Sequence, residues 1–172
     1  MAADTNDKVD KLKRACDQAY VTYGSSCSHA VWHVISQYDP SQARLDANTL
    51  TRNLSLNAKW KPVEFRELSR LASQGVLIVG GLGKAAGHGH VLVVYPGPDK
   101  AAGGYDAKDK AGKIYRVRPR GSYPRAMSTS LDGWPGAGSY GDKTVWDAWG
   151  NDAEFGKVKF WKYVGSDGDG NV

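Results

Sequence analysis

Apolar positions recur at helical spacing through the first third of the chain and then give way to short apolar runs. Val9, Leu12, Cys16 and Tyr20 predict a helix over residues 6–20, capped by Thr5 or Asn6. After the break at Gly24, Ser25 and Ser26, the set Cys27, Ala30, Val31, Val34 and Ile35 forms one face of a second helix. The run Asp39-Pro40-Ser41 ends it, because a residue before proline avoids the helical region. Asn48 is placed to cap a third helix through Leu50 and Leu54. A fourth is predicted to start at Pro62, with Phe65, Leu68, Leu71 and Ala72 as its apolar face and Gly75 as its stop. The third and fourth helices read as packing elements on one side of a sheet.

The period then changes. Residues 76–79 are a continuous apolar run, the mark of a buried strand, and residues 80–87 read as a glycine-rich turn. His90 leads a second strand, residues 91–95, which Pro96-Gly97-Pro98 closes. Residues 99–112 read as a solvated loop. Residues 114–118 and 122–130 read as strands broken by Pro119 and Pro124, residues 132–142 as a loop, and residues 144–149 as a short helix. Alternation around Val158, Phe160 and Val164 predicts a last antiparallel strand. Helices first and a meander of strands afterwards make an α+β fold, with N-terminal helices packed on an antiparallel sheet. Without repeat or linker, residues 1–172 read as one catalytic domain, with a core of about 4–164 and a polar tail, 165–172.

Composition narrows the class. The chain has 172 residues, 41% hydrophobic and 24% charged, ordinary for a globular protein with a proper core. No apolar run approaches the ~20 residues of a membrane helix, so no membrane association is expected. The start, MAADTNDKVDKLKR, has no apolar signal core. Net charge is +5, but the basic residues are scattered apart from the stretch 113–120, and no nucleic-acid motif occurs. Two cysteines, Cys16 and Cys27, make neither a disulfide framework nor a four-thiolate metal site. In the tail, residues 167–171 mimic only the start of a calcium loop.

Cys27 carries the first candidate chemistry. In the first turn of its helix, unpaired N–H groups and the dipole favour a thiolate, which makes a nucleophile. A small buried thiol packing like alanine fits the same pattern, and Cys16, on an apolar stripe, reads that way. A thiol nucleophile also needs a base and a group that orients the base. His29 and His33 fall on the polar side of the Cys27 helix; four residues apart, they read as a solvated face, with Ala30 where a zinc protease would need Glu. His88 and His90, two apart, are expected on one side of a strand. His90 begins the most apolar strand and is therefore the fixed imidazole.

The stretch SSCSHAVWHVI resembles the Cys-Ser-Gly helix start of NlpC-type cell-wall peptidases, and GHVLVV their Gly-His strand. The block LASQGVLIVGGLGKAAGHGHVLVVYPGP is similar to that of type VI secretion amidase effectors of the first family, and VWDAW and the final strand agree. The resemblance spans roughly residues 4–164. His29 stands where the wider family usually has glycine, and the 99–121 region is longer than expected.

The resemblance implies a papain-like NlpC-type fold with Cys27 as nucleophile, His90 as base and a third polar group from the next strand, assigned to Ser128. The backbone N–H of Cys27, with Tyr23 and Ser26, is assigned to oxyanion or substrate binding. It further implies a peptidoglycan amidase cutting between D-glutamate and diaminopimelate, without metal or cofactor. Such an enzyme would be a monomer, made in the cytoplasm and delivered by the type VI secretion components to the periplasm of target bacteria without a signal peptide. An immunity protein would plug its cleft. The alternatives are a phage or housekeeping wall hydrolase of the same chemistry and a non-catalytic binding module on the same fold.

Overall fold

A computed structural model of the protein describes residues 2–131 and 134–165. The calcium-loop-like run 167–171 lies outside them, as do Asp132 and Gly133 of the expected 132–142 loop.

Three helices come first: α1 (Ala2–Thr22), α2 (Cys27–Ser36) and α3 (Ala47–Leu56). Ser26 caps α2, its Oγ accepting the His29 N–H at 3.4 Å. Asp46, not Asn48, caps α3, accepting the Thr49 N–H at 2.8 Å; an aspartate directly before the first turn outcompetes an asparagine already inside it. No helix begins at Pro62. Residues Trp60–Pro62 form β1, an edge strand where a missing N–H is tolerated. A single 3-10 turn, Phe65–Glu67, then leads into the short α4 (Leu68–Ala72). Gly75 ends that segment at φ +84°, with no room for a Cβ against Lys8 of α1.

The strands β2 (Ile78–Leu82), β3 (His90–Ala101), β6 (Ser122–Ser128), β7 (Ser139–Thr144) and β8 (Lys159–Tyr163) join β1 in one antiparallel sheet, ordered β1-β8-β2-β3-β6-β7. A separate hairpin pairs β4 (Tyr105–Lys108), which forms within the stretch expected to be a solvated loop, with β5 (Ile114–Val117), which lies where a strand is expected.

Gly80 and Gly81 lie inside β2 rather than in a turn. A Cβ at Gly80 would stand 2.6 Å from the Phe160 ring and one at Gly81 3.0 Å from Val91, so these glycines admit neighbours from β8 and β3. β3 continues through Pro96-Gly97-Pro98 by a register shift between Tyr95 and Lys100, where Gly97 takes φ +138°. β6 keeps Pro124 without breaking, because the neighbouring Val145 N–H bonds to the Pro124 carbonyl. Residues 145–149 are turns rather than a helix, and a single-turn α5 (Asp152–Phe155) follows.

Alternation along the central strands builds two cores. Val79, Val91, Val93, Met127 and Trp161 meet α1, α2 and α3 on one face. Ile78, Leu92, Val94, Ala126 and Phe160 meet α4 and Val145 on the other. The third and fourth helices therefore cover opposite faces of the sheet. Their sequences gave each an apolar stripe but not the side it would choose. Among the described residues, no helix is long and apolar enough to cross a membrane.

Candidate active site

The start of α2, the start of β3 and the end of β6 converge on one cleft of about 760 Å³. Cys27, the first residue of α2, is half-buried on its wall and packs on the cluster that contains Val91. His90, the first residue of β3, lines the same cleft. Its Nε2 is 2.8 Å from the Oγ of Ser128, the last residue of β6, which is 1% exposed. A ring nitrogen held by a buried hydroxyl fixes the orientation of the imidazole. The ring of Trp149 meets the His90 ring edge-on, centroids 5.2 Å apart, and blocks another direction of rotation.

The thiol's environment corrects a simple helix-dipole expectation. Burial is the largest influence on Cys27 and pushes its thiol above the ordinary value. The backbone N–H groups of Val91, Ser28 and Cys27 itself act in the opposite direction without overcoming it. The resting residue is therefore a thiol, and a nucleophilic role for it would require a base to take its proton, with the three N–H groups favouring the resulting anion.

Gly89, before His90, has a steric reason to be glycine. A Cβ there would lie 2.5 Å from Asn48 Oδ1 and 2.7 Å from the Leu82 carbonyl oxygen. Asn48, freed from capping, ties down the segment before His90. Its Oδ1 accepts the Lys84 N–H at 2.9 Å and its Nδ2 donates to the Gly87 carbonyl at 3.0 Å. Lys84 in turn pairs with Glu154 of α5 at 3.3 Å, both residues lining the cleft. Neither Asn48 nor Trp149 carries a motif of its own. Asn48 looks like a helix cap in sequence, and Trp149 is one of six tryptophans.

Other expectations change. His88 lines the cleft but is exposed and precedes β3, so strand alternation does not place it beside His90. Ser26 lines the cleft as well as capping α2. Tyr23 is not among the residues lining the cleft. Its ring sits against those of His29, Trp32 and His33, centroids 5.6, 6.5 and 5.9 Å away, which leaves both histidines half-buried rather than solvated.

Among the described residues, no group of three or more His, Cys, Asp or Glu side chains is arranged to hold a metal ion. Cys16 and Cys27 are both free thiols. Comparison of the chain with protein-family models and with curated proteins finds no match.

Proposed function

We propose that the protein is a cysteine amidase of papain-like, NlpC-type architecture that cleaves the stem peptide of peptidoglycan. The observation that carries this reading is the hydrogen bond from His90, which lines the cleft with Cys27, to Ser128 buried behind it. A fixed imidazole and a helix-start thiol on one cleft wall are the parts thiol acyl transfer requires.

In the proposed reaction His90 takes the Cys27 proton as Sγ attacks the amide carbonyl. The C=O bond opens to an oxyanion that the first-turn backbone N–H groups of α2 stabilise. The C–N bond then breaks, His90 returns the proton to the leaving amine, and a thioester links the acyl group to Sγ. Water, deprotonated by His90, attacks the thioester and regenerates the thiol. Ser128 holds the imidazole through Nε2, and Nδ1 is assigned the proton transfer. Ser26 contributes to the substrate-facing wall.

The sequence resemblance extends the proposal to an antibacterial effector carried by type VI secretion components, held in check by an immunity protein, and cutting between D-glutamate and diaminopimelate. Digestion of purified peptidoglycan, with the products weighed by mass spectrometry, tests it. The expected result is free stem-peptide fragments with a new diaminopimelate amine, and none with Cys27→Ala. An intact wall after incubation with the unaltered protein would overturn the reading.

The raised thiol of Cys27 also suits a second reading, a non-catalytic binding module on the same fold. Single-turnover trapping separates the two: an amidase forms a thioester on Cys27 with an activated stem-peptide ester, and a binding module forms none.

A further inference from the structure

The connection between β2 and β3, residues 83–89, lies along the cleft: Lys84, Gly87, His88 and Gly89 line it, and His90 follows directly. Gly83, Gly87 and Gly89 fall within this turn, and residues 83–88 are exposed. A chain of that composition has many conformations to lose on folding. Among the described residues, no backbone–backbone hydrogen bond forms within 83–89. The pair Leu82–His90 ends the β2–β3 ladder, so strand pairing stops at the residue that carries the imidazole.

Asn48 supplies the bonds that the turn does not make with itself. It stands in the first turn of α3, half-buried, with both ends of its amide engaged. Oδ1 accepts the Lys84 N–H at 2.9 Å, and Nδ2 donates to the Gly87 carbonyl at 3.0 Å. A side chain that accepts from one peptide unit and donates to another replaces a backbone rung. Bare Gly89 lets the turn close onto Oδ1, where a Cβ would stand 2.5 Å away. α3 does not need Asn48 for itself. Asp46 already caps it, and alanine has the higher helix propensity at such a position. The other brace on the turn, Lys84 with Glu154, is a part-exposed ion pair, and such pairs contribute little.

We infer that Asn48 is a positioning residue for His90: its amide fixes the main chain of the 83–89 turn to α3 and so sets where the start of β3 holds the imidazole in the cleft. Ser128 and Trp149 act on the ring, whereas Asn48 acts on the main chain that leads to it. The role requires an amide. A carboxylate of the same size accepts the Lys84 N–H but has no donor for the Gly87 carbonyl, and it sets a negative charge against that oxygen. The kinetic consequence rests on the amidase reading, and the geometric one does not.

Asn48→Ala and Asn48→Asp in the full-length protein test it, each studied well below its melting temperature. Three readouts are compared with the unaltered protein: amide hydrogen exchange at Lys84, the His90 ring signal in NMR, identified by its loss in His90→Gln, and the kinetics of peptidoglycan cleavage. Asn48→Ala should speed exchange at Lys84 and shift or broaden the His90 signal. It should lower kcat by about tenfold to a hundredfold, with KM within about twofold. Asn48→Asp should keep Lys84 protected and still disturb His90 and lower kcat, because the bond to Gly87 is gone. An unchanged His90 signal in both variants would overturn the inference, whether or not the wall is cleaved. A shifted His90 signal in a protein that never cleaves peptidoglycan would remove the amidase reading and leave the positioning role standing. A normal kcat despite faster exchange at Lys84 would make Asn48 a tether of the turn alone, and a change confined to KM would make it a substrate contact. Either result overturns the inference.

Discussion

Cys16 and Cys27 sit on neighbouring helices and face the same core cluster, yet they have different chemistry. Cys16 lies in the middle of α1, fully buried beside Leu12 and Ala19. Cys27 opens α2 at the edge of the cleft. Burial raises both thiols, and a Coulombic contribution from Asp17 raises Cys16 further. Only Cys27 has backbone N–H groups working the other way. Mid-helix N–H groups are already committed to carbonyls four residues back, whereas the first turn leaves its donors unpaired. Position decides whether the anion has support: at the start of α2 Cys27 meets both the free first-turn donors and the Val91 N–H of β3, and Cys16, inside α1, meets neither.

Several substitutions would break or sharpen that contrast. The largest effect is expected from Cys27→Ala, which should lower kcat/KM for peptidoglycan cleavage by about 10⁴-fold or more. Cys16→Ala should change it by less than about threefold, because Cys16 is buried inside α1 and does not line the cleft. Muropeptide release rates measure both, and comparable losses would erase the distinction between the two thiols.

The contrast also depends on the imidazole. His90→Ala should cost about 10²–10⁴-fold. His88→Ala should stay within about threefold, since His88 stands outside β3. Similar losses at the two positions would move the base or make it shared. Ser128→Ala removes the hydrogen bond that holds Nε2. About tenfold in kcat, with KM nearly unchanged, is the expected result of orienting His90 less well. A change in KM alone would make Ser128 a substrate contact instead.

The smallest effect concerns stability and isolates Cys16. Its thiol is raised in the folded state, so folding keeps a proton that the unfolded chain releases above the ordinary thiol range of about 8.5. The stabilisation is complete below that pH and declines above it, at about 1.4 kcal/mol per pH unit. The Tyr38 hydroxyl, pushed up to about 12 chiefly by burial, adds to the decline above its ordinary range of about 10. In urea unfolding between pH 8 and 10, Cys16→Ala should start about 1 kcal/mol less stable and show a flatter pH dependence. An unchanged slope would mean that Cys16 is not the titrating group.

Much of this molecule could be read from local pattern. The helix that begins at Cys27, the apolar strand that begins at His90 and the final strand around Phe160 all lie where spacing put them. Each has a strong apolar period and a clear break before it. The Gly89-His90 pair was visible, and its steric cause, Asn48 across the segment, was not. Proline misleads a local reading here: Pro62 reads as a helix start and Pro96 and Pro124 as strand ends or breaks, yet all three lie within strands, at an edge, at a register shift and beside a neighbouring strand.

What the sequence determined by itself is the set of local periods: an α+β chain, a thiol at a helix start, and an imidazole at a strand start with glycine before it. These depend on contacts within a few residues. Only the tertiary structure decided that α3 and α4 take opposite faces of the sheet, that Ser128 reaches His90, and that Trp149 and Asn48 hold the imidazole and the segment before it. It likewise decided that Tyr23 turns away to His29 and His33. The reason is physical. An apolar stripe specifies that a side is buried but not against what, and strand order and register are settled by packing between segments far apart in the chain.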